Sequence, residues 1–134
     1  MSMDKENLIL SYRRISFPLF EGREFSLCET GKIEYIRKMC SGESNKKIVG
    51  NFQIPKEQVN SYVDRLLNSG ILNLENYYHP RGYMGDGWIE TTTFNYKGTT
   101  KSVSCRNIHH NCSKLNEILD ELWSLVKEVD KNIG

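Results

Sequence analysis

Apolar and polar residues alternate with a period of two through several stretches of the chain, and with the longer period of a helix through two others. Residues 8–17, LILSYRRISF, are rich in β-branched and aromatic side chains and predict a strand. Its alternation slips between Tyr12 and Ile15, which predicts a bulge there. REFSLCETGKIEYIRKMC predicts a hairpin. A two-residue turn at Thr30-Gly31 would set Leu27 against Glu34 and mix the two faces. A three-residue loop, Glu29-Thr30-Gly31, pairs Leu27 with Ile33 and Phe25 with Tyr35 instead. That register keeps one face apolar, and Gly31 supplies the left-handed residue such loops need.

Residues 41–47, SGESNKK, then predict a polar turn, and KIVGNFQI a strand with Ile48, Phe52 and Ile54 on one face. Pro55 suits the first turn of a helix, where its missing N–H costs nothing. Val59, Tyr62, Val63, Leu66 and Leu67 follow at helical spacing, and Gly70 stands where a helix end wants a left-handed residue. ILNL (71–74) predicts a short extended segment. After an irregular stretch at 75–87, Trp88, Phe94 and Tyr96 share one strand face, Lys97-Gly98 mark a tight turn, and Val103 and Cys105 share a face of the next strand. Leu115, Ile118, Leu119, Leu122, Leu125, Val126 and Val129 stripe a closing helix. No repeat or linker divides the chain, so residues 1–134 are expected to form a single two-layer α+β domain. In it an antiparallel sheet of about six strands packs against two helices and leaves its other face to water.

This order resembles a group of small bacterial α+β domains with no assigned activity, many of them lipid-anchored or exported. The pieces that carry the resemblance are ETGKIEY, IPKEQVNSYVDRLLNSGILNL, GDGWIETTTFNYKGTTKSVSC and LNEILDELWSLV. They cover most of the chain and are structural signals, so the resemblance implies a fold and transfers no site.

A net charge of +1 gives no global field for nucleic acid or anionic lipid. Arg13-Arg14 and Lys46-Lys47 are read as solvated strand and turn residues. MSMDKENLILSYRRIS has no apolar core of signal-peptide length, and no later segment is long and apolar enough to span a membrane. A cytoplasmic protein is expected, or an exported one if a leader has been removed. Cys28, Cys40, Cys105 and Cys112 contain no C-x-x-C pair and are expected as free thiols in a reducing compartment, or as two disulfides outside it. No motif implies a cofactor.

Candidate chemistry is concentrated in two stretches. YYHPRGYMGDGW brings Tyr77, Tyr78, His79, Arg81, Tyr83, Met84, Asp86 and Trp88 into one loop. Tyrosine, tryptophan and arginine bury large area with a polar handle, so this loop is the expected surface for a protein partner. Its glycines at 82, 85 and 87 lead into a strand, unlike a phosphate loop, which must open a helix. SCRNIHHNCSKL sets Cys105, His109, His110 and Cys112 together. Cys105 falls on an inward strand face and Cys112 near a helix start, both natural places for buried thiols. The two histidines are expected in the turn between them, aimed apart. A metal or thiol site there is the second expectation, with Cys112 the best-placed nucleophile because backbone dipoles at a helix start stabilise a thiolate. A third is a small enzyme around His79 and Asp86, with Glu75 and Glu90 as further carboxylates bracketing the loop. The leading expectation is a non-enzymatic, protein-binding domain, immunity- or inhibitor-like in size and style.

Overall fold

The computed structural model describes residues 7–17, 21–41, 44–80 and 87–133. The chain is α+β, with nine main elements among the described residues. Strands β1 (Leu8–Phe17), β2 (Glu21–Cys28), β3 (Lys32–Ser41) and β4 (Ser44–Gln53) come first, and helix α1 (Lys56–Leu67) follows. Strands β5 (Tyr77–Tyr78), β6 (Gly87–Tyr96) and β7 (Thr99–Arg106) lead to helix α2 (Ser113–Val129). The strands form one sheet in the order β4-β3-β2-β1-β6-β7-β5. All neighbours are antiparallel except β5, a two-residue strand lying parallel to β7. This short edge strand is the one beyond the six expected.

The β2–β3 hairpin has the three-residue loop that apolar pairing demands. Phe25 pairs with Tyr35 and Leu27 with Ile33, and Gly31 takes φ 93°. A Cβ on Gly31 would lie 2.2 Å from the Ile54 carbonyl oxygen, so the loop needs glycine for close approach as well as for its handedness. Lys97 and Gly98, at φ 46° and 81°, make the tight turn between β6 and β7.

Both helices lie on one face of the sheet. Val59, Tyr62 and Leu66 of α1 and Leu115, Leu122 and Val126 of α2 are buried against the inward residues of the strands, among them Leu10, Phe25, Ile33 and Phe94. Each such side chain contributes about 1.5–3 kcal/mol relative to leaving it in water. The opposite face carries Thr91 and Thr93, whose hydroxyls meet those of Ser104 and Ser102 at 3.2 and 3.0 Å.

Several local expectations give way. The register shift in β1 falls between Leu8 and Leu10; from Tyr12 to Ile15 the strand pairs regularly with both neighbours. The apolar pattern slips there because an arginine, Arg14, takes an inward position while Ile15 turns outward, buried in a recess with Phe17 and Ile89. Residues 44–47 belong to β4, since polar side chains are tolerated along an outer strand. Pro55 caps α1 from outside its first turn, and residues 71–73 form a 3₁₀ turn begun by Gly70 at φ 97°. Val129, at the end of the α2 stripe, is 52% exposed, whereas Trp123, off the expected stripe, is buried.

Candidate functional site

Strand β6 sends Trp88, Glu90, Thr92, Phe94 and Tyr96 to the helix-bearing face. A carboxylate in that series stands out, for Glu90 is only 4% exposed. A buried carboxylate needs partners, and strand β1 and the segment after β7 supply three. The Tyr12 hydroxyl on β1 donates to Glu90 Oε2 at 2.5 Å. Arg14, two residues on, places Nη1 3.8 Å from the same oxygen and lays its guanidinium over the Trp88 ring, 4.5 Å from the centroid. His109 Nε2 is 2.6 Å from Glu90 Oε1, a close contact without hydrogen-bond alignment on the oxygen. Burial, with Glu90 beside it, pushes the Tyr12 phenol well above its ordinary range, so it remains a donor to the carboxylate.

The segment after β7 is bent by Asn107 at φ 59°, a conformation asparagine tolerates. Its side-chain oxygen accepts the Trp88 N–H at 2.9 Å and ties the bend to the start of β6. The bend brings both histidines back over the sheet. Their rings lie 4.3 Å apart, His109 directed at Glu90 and His110 buried at 3% exposure between Tyr78 and the start of α2. The expectation that they point apart in an open turn is therefore corrected. Packing on the tyrosine and the helix start turns His110 inward.

Cys105, His110 and Glu90 present ligand-type atoms all within 4.8 Å of one another. The tautomer of His110 bears on what they can hold. Nδ1 accepts the Cys112 backbone N–H at 3.1 Å, at the residue that caps α2. A neutral ring whose Nδ1 accepts carries its proton on Nε2, the nitrogen left without an aligned partner. A metal ion taking Nε2 would have to displace that proton and break the bond at the helix start. Burial pushes the Cys105 thiol up, with the His110 backbone N–H pulling the other way. Cys112 does not join the cluster; its Sγ contacts the Ser69 carbonyl at 3.0 Å.

Burial, and then the neighbouring His109, hold His110 below the ordinary histidine value, with Glu90 opposing. In the unfolded chain the ring takes up its proton near pH 6.5. Stability is expected to be fully present above that value and to fall as the pH drops below it, levelling only once the folded ring is also protonated. Denaturant midpoints from pH 7.5 to 5 should decline less steeply in His110→Gln than in the wild type. Equal slopes would show that His110 does not govern the acid limb.

The aromatic loop divides. Tyr77 is 57% exposed on β5, with its ring 4.7 Å from that of His79. Tyr78 turns inward beside His110, and its hydroxyl accepts the Glu75 N–H at 2.9 Å. Trp88 belongs to the Glu90 group through Arg14 and His109. Arg81, Tyr83, Met84 and Asp86 lie outside the described residues, and with Asp86 the pairing of His79 and Asp86. Sequence reasoning places Glu90 only among the carboxylates bracketing the loop and does not reach its grouping with Tyr12, Arg14 and His109. The available signal was an acidic residue at an inward position of the Trp88–Phe94 alternation.

No family model matches this chain, and no curated protein matches it.

Proposed function

We propose that the protein is a non-enzymatic binding domain that engages another protein along its β5 edge. The observation that carries this is the exposed Tyr77–His79 ring pair, held at the outermost strand of the sheet where a partner can reach both side chains. Aromatic rings with a polar end are the usual anchors of such contacts, since they desolvate a large area while keeping one hydrogen bond. Strand β5 is short, and among the described residues no strand pairs with its outer side, so a partner can add backbone hydrogen bonds to those side-chain contacts. The Glu90 group favours the same non-catalytic reading. Glu90 is 4% exposed and its Oε2 accepts the Tyr12 hydroxyl, so the carboxylate is turned to the protein rather than to a substrate. An inhibitor- or immunity-type role fits a domain of this size. Replacing Tyr77 and His79 together by alanine is expected to reduce capture of the partner from a native lysate about thirtyfold, with the thermal midpoint of the domain unchanged. Undiminished capture would refute the assignment.

A further inference from the structure

At one end of the sheet the inward positions of three adjacent strands are all arginine. In the pairing registers Arg37 of β3 lies opposite Arg23 of β2, Arg23 opposite Arg14 of β1, and Arg14 opposite Glu90 of β6. Strands are about 4.8 Å apart, so three guanidinium stems stand side by side on one face. Like charges directly opposite one another on a sheet are destabilising. Glu90 stands beside only the last of the three, Arg14.

Each arginine is nevertheless fixed in place. Arg37 Nη1 donates to the carbonyls of Gly22 and Lys38 at 3.0 and 2.9 Å. Arg23 lies over the Trp123 ring, 5.3 Å from its centroid, and Arg14 over Trp88. Helix α2 does not cover this end. Its last turns contribute Trp123 and Lys127 to the wall of an open groove of about 390 Å³ lined also by Arg14, Ser16, Arg23 and Arg37. Glu21 is the one carboxylate among the described residues of the lining, and its Oε1 accepts the Cys40 N–H. Arg23 Nε is buried and has no hydrogen-bond partner among the described residues.

We propose that this arginine row is a binding site for a phosphate group. Arg37 is held by carbonyls and Arg23 by stacking, and only Arg14 stands near a carboxylate, at 3.8 Å, which leaves donors for a ligand on guanidiniums whose orientation is already set. Arg presents a planar fork of N–H groups that matches a tetrahedral oxyanion two oxygens at a time, and Lys127 adds a point charge from the opposite wall. Bound phosphate would also remove the repulsion along the row. The site is separate from the β5 edge, lies at the other side of Glu90, and does not depend on the protein-binding assignment.

Both tryptophans of the chain, Trp88 and Trp123, lie beneath arginines of the row, so intrinsic fluorescence reports occupancy directly. Wild-type protein titrated with inorganic phosphate at constant ionic strength is expected to give a saturable change with a Kd of about 1 mM or below. Phenyl phosphate in a parallel titration distinguishes the sources: tighter binding than inorganic phosphate assigns the site to a phosphate carried on a ligand, and equal binding to the free ion. Loss of one charged hydrogen-bond partner should weaken phosphate about tenfold or more in Arg23→Ala and in Lys127→Glu, while Arg13→Ala, on the opposite face of β1, should bind as the wild type does. Lys127 is exposed, so its variant keeps the test valid if Arg23→Ala fails to fold. No saturable change in the wild type, or equal weakening in Arg13→Ala and Lys127→Glu, would overturn the proposal.

Discussion

Glu90→Leu is expected to cost about 3–5 kcal/mol of folding stability, a loss characteristic of breaking a buried charged pair by removing one partner. The leucine adds apolar volume at a position only 4% exposed, yet it strands three groups at once. The Tyr12 hydroxyl loses its acceptor, and His109 and Arg14 lose the carboxylate that lies between them. The desolvation penalty of the stranded partners outweighs any gain from burying the new side chain. Urea denaturation of the single variant tests this. The double variant with Tyr12→Phe should recover part of the loss, because the phenol is then no longer buried without an acceptor. A single-variant loss below about 1 kcal/mol would place Glu90 outside any interaction that matters to the fold.

Leu122→Ala is expected to cost about 2–5 kcal/mol, and Val129→Ala to stay within about 0.5 kcal/mol of the wild type. Both residues lie on the apolar stripe that periodicity draws along α2. Leu122 is fully buried within the core and cannot shrink without leaving a void, whereas Val129 is 52% exposed at the helix end. Chemical denaturation of the pair separates the part of the stripe that packs from the part that only continues the pattern. Equal losses would show that α2 seats differently on the sheet.

Local pairing was legible in the sequence wherever a single apolar face decides the register. The Phe25–Tyr35 and Leu27–Ile33 pairs, the Lys97-Gly98 turn and most of the α2 stripe follow from alternation and from glycine's freedom alone. The site was not legible, for two physical reasons. Arg14, Arg23, Arg37 and Glu90 occupy inward positions, but a charged residue is ordinarily assigned to water, so a break in alternation reads as a bulge or an end. Their meeting also depends on which distant strands lie side by side. Nothing in one sequence specifies that β1 pairs with β6 as well as with β2, and that pairing alone sets Arg14 opposite Glu90. The two histidines show the same limit: their inward turn depends on Asn107, Tyr78 and the start of α2 meeting in space.

The central place of β1 in the sheet orders events on the ribosome. Strands β1 to β4 are consecutive neighbours and can zip together as they emerge, whereas the second side of β1 waits for β6. Tyr12 and Glu90 are 78 residues apart, a gap of roughly 4–15 s at ordinary rates of synthesis. During that interval the nascent meander exposes an unpaired strand, with the Tyr12 phenol and Arg14 still in water. Arrival of β6 pairs the second side of β1 and buries Glu90 beside Tyr12 in one step. A late, long-range pairing of this kind is slow by topology, and one side of β1 stays open until the last third of the protein is made.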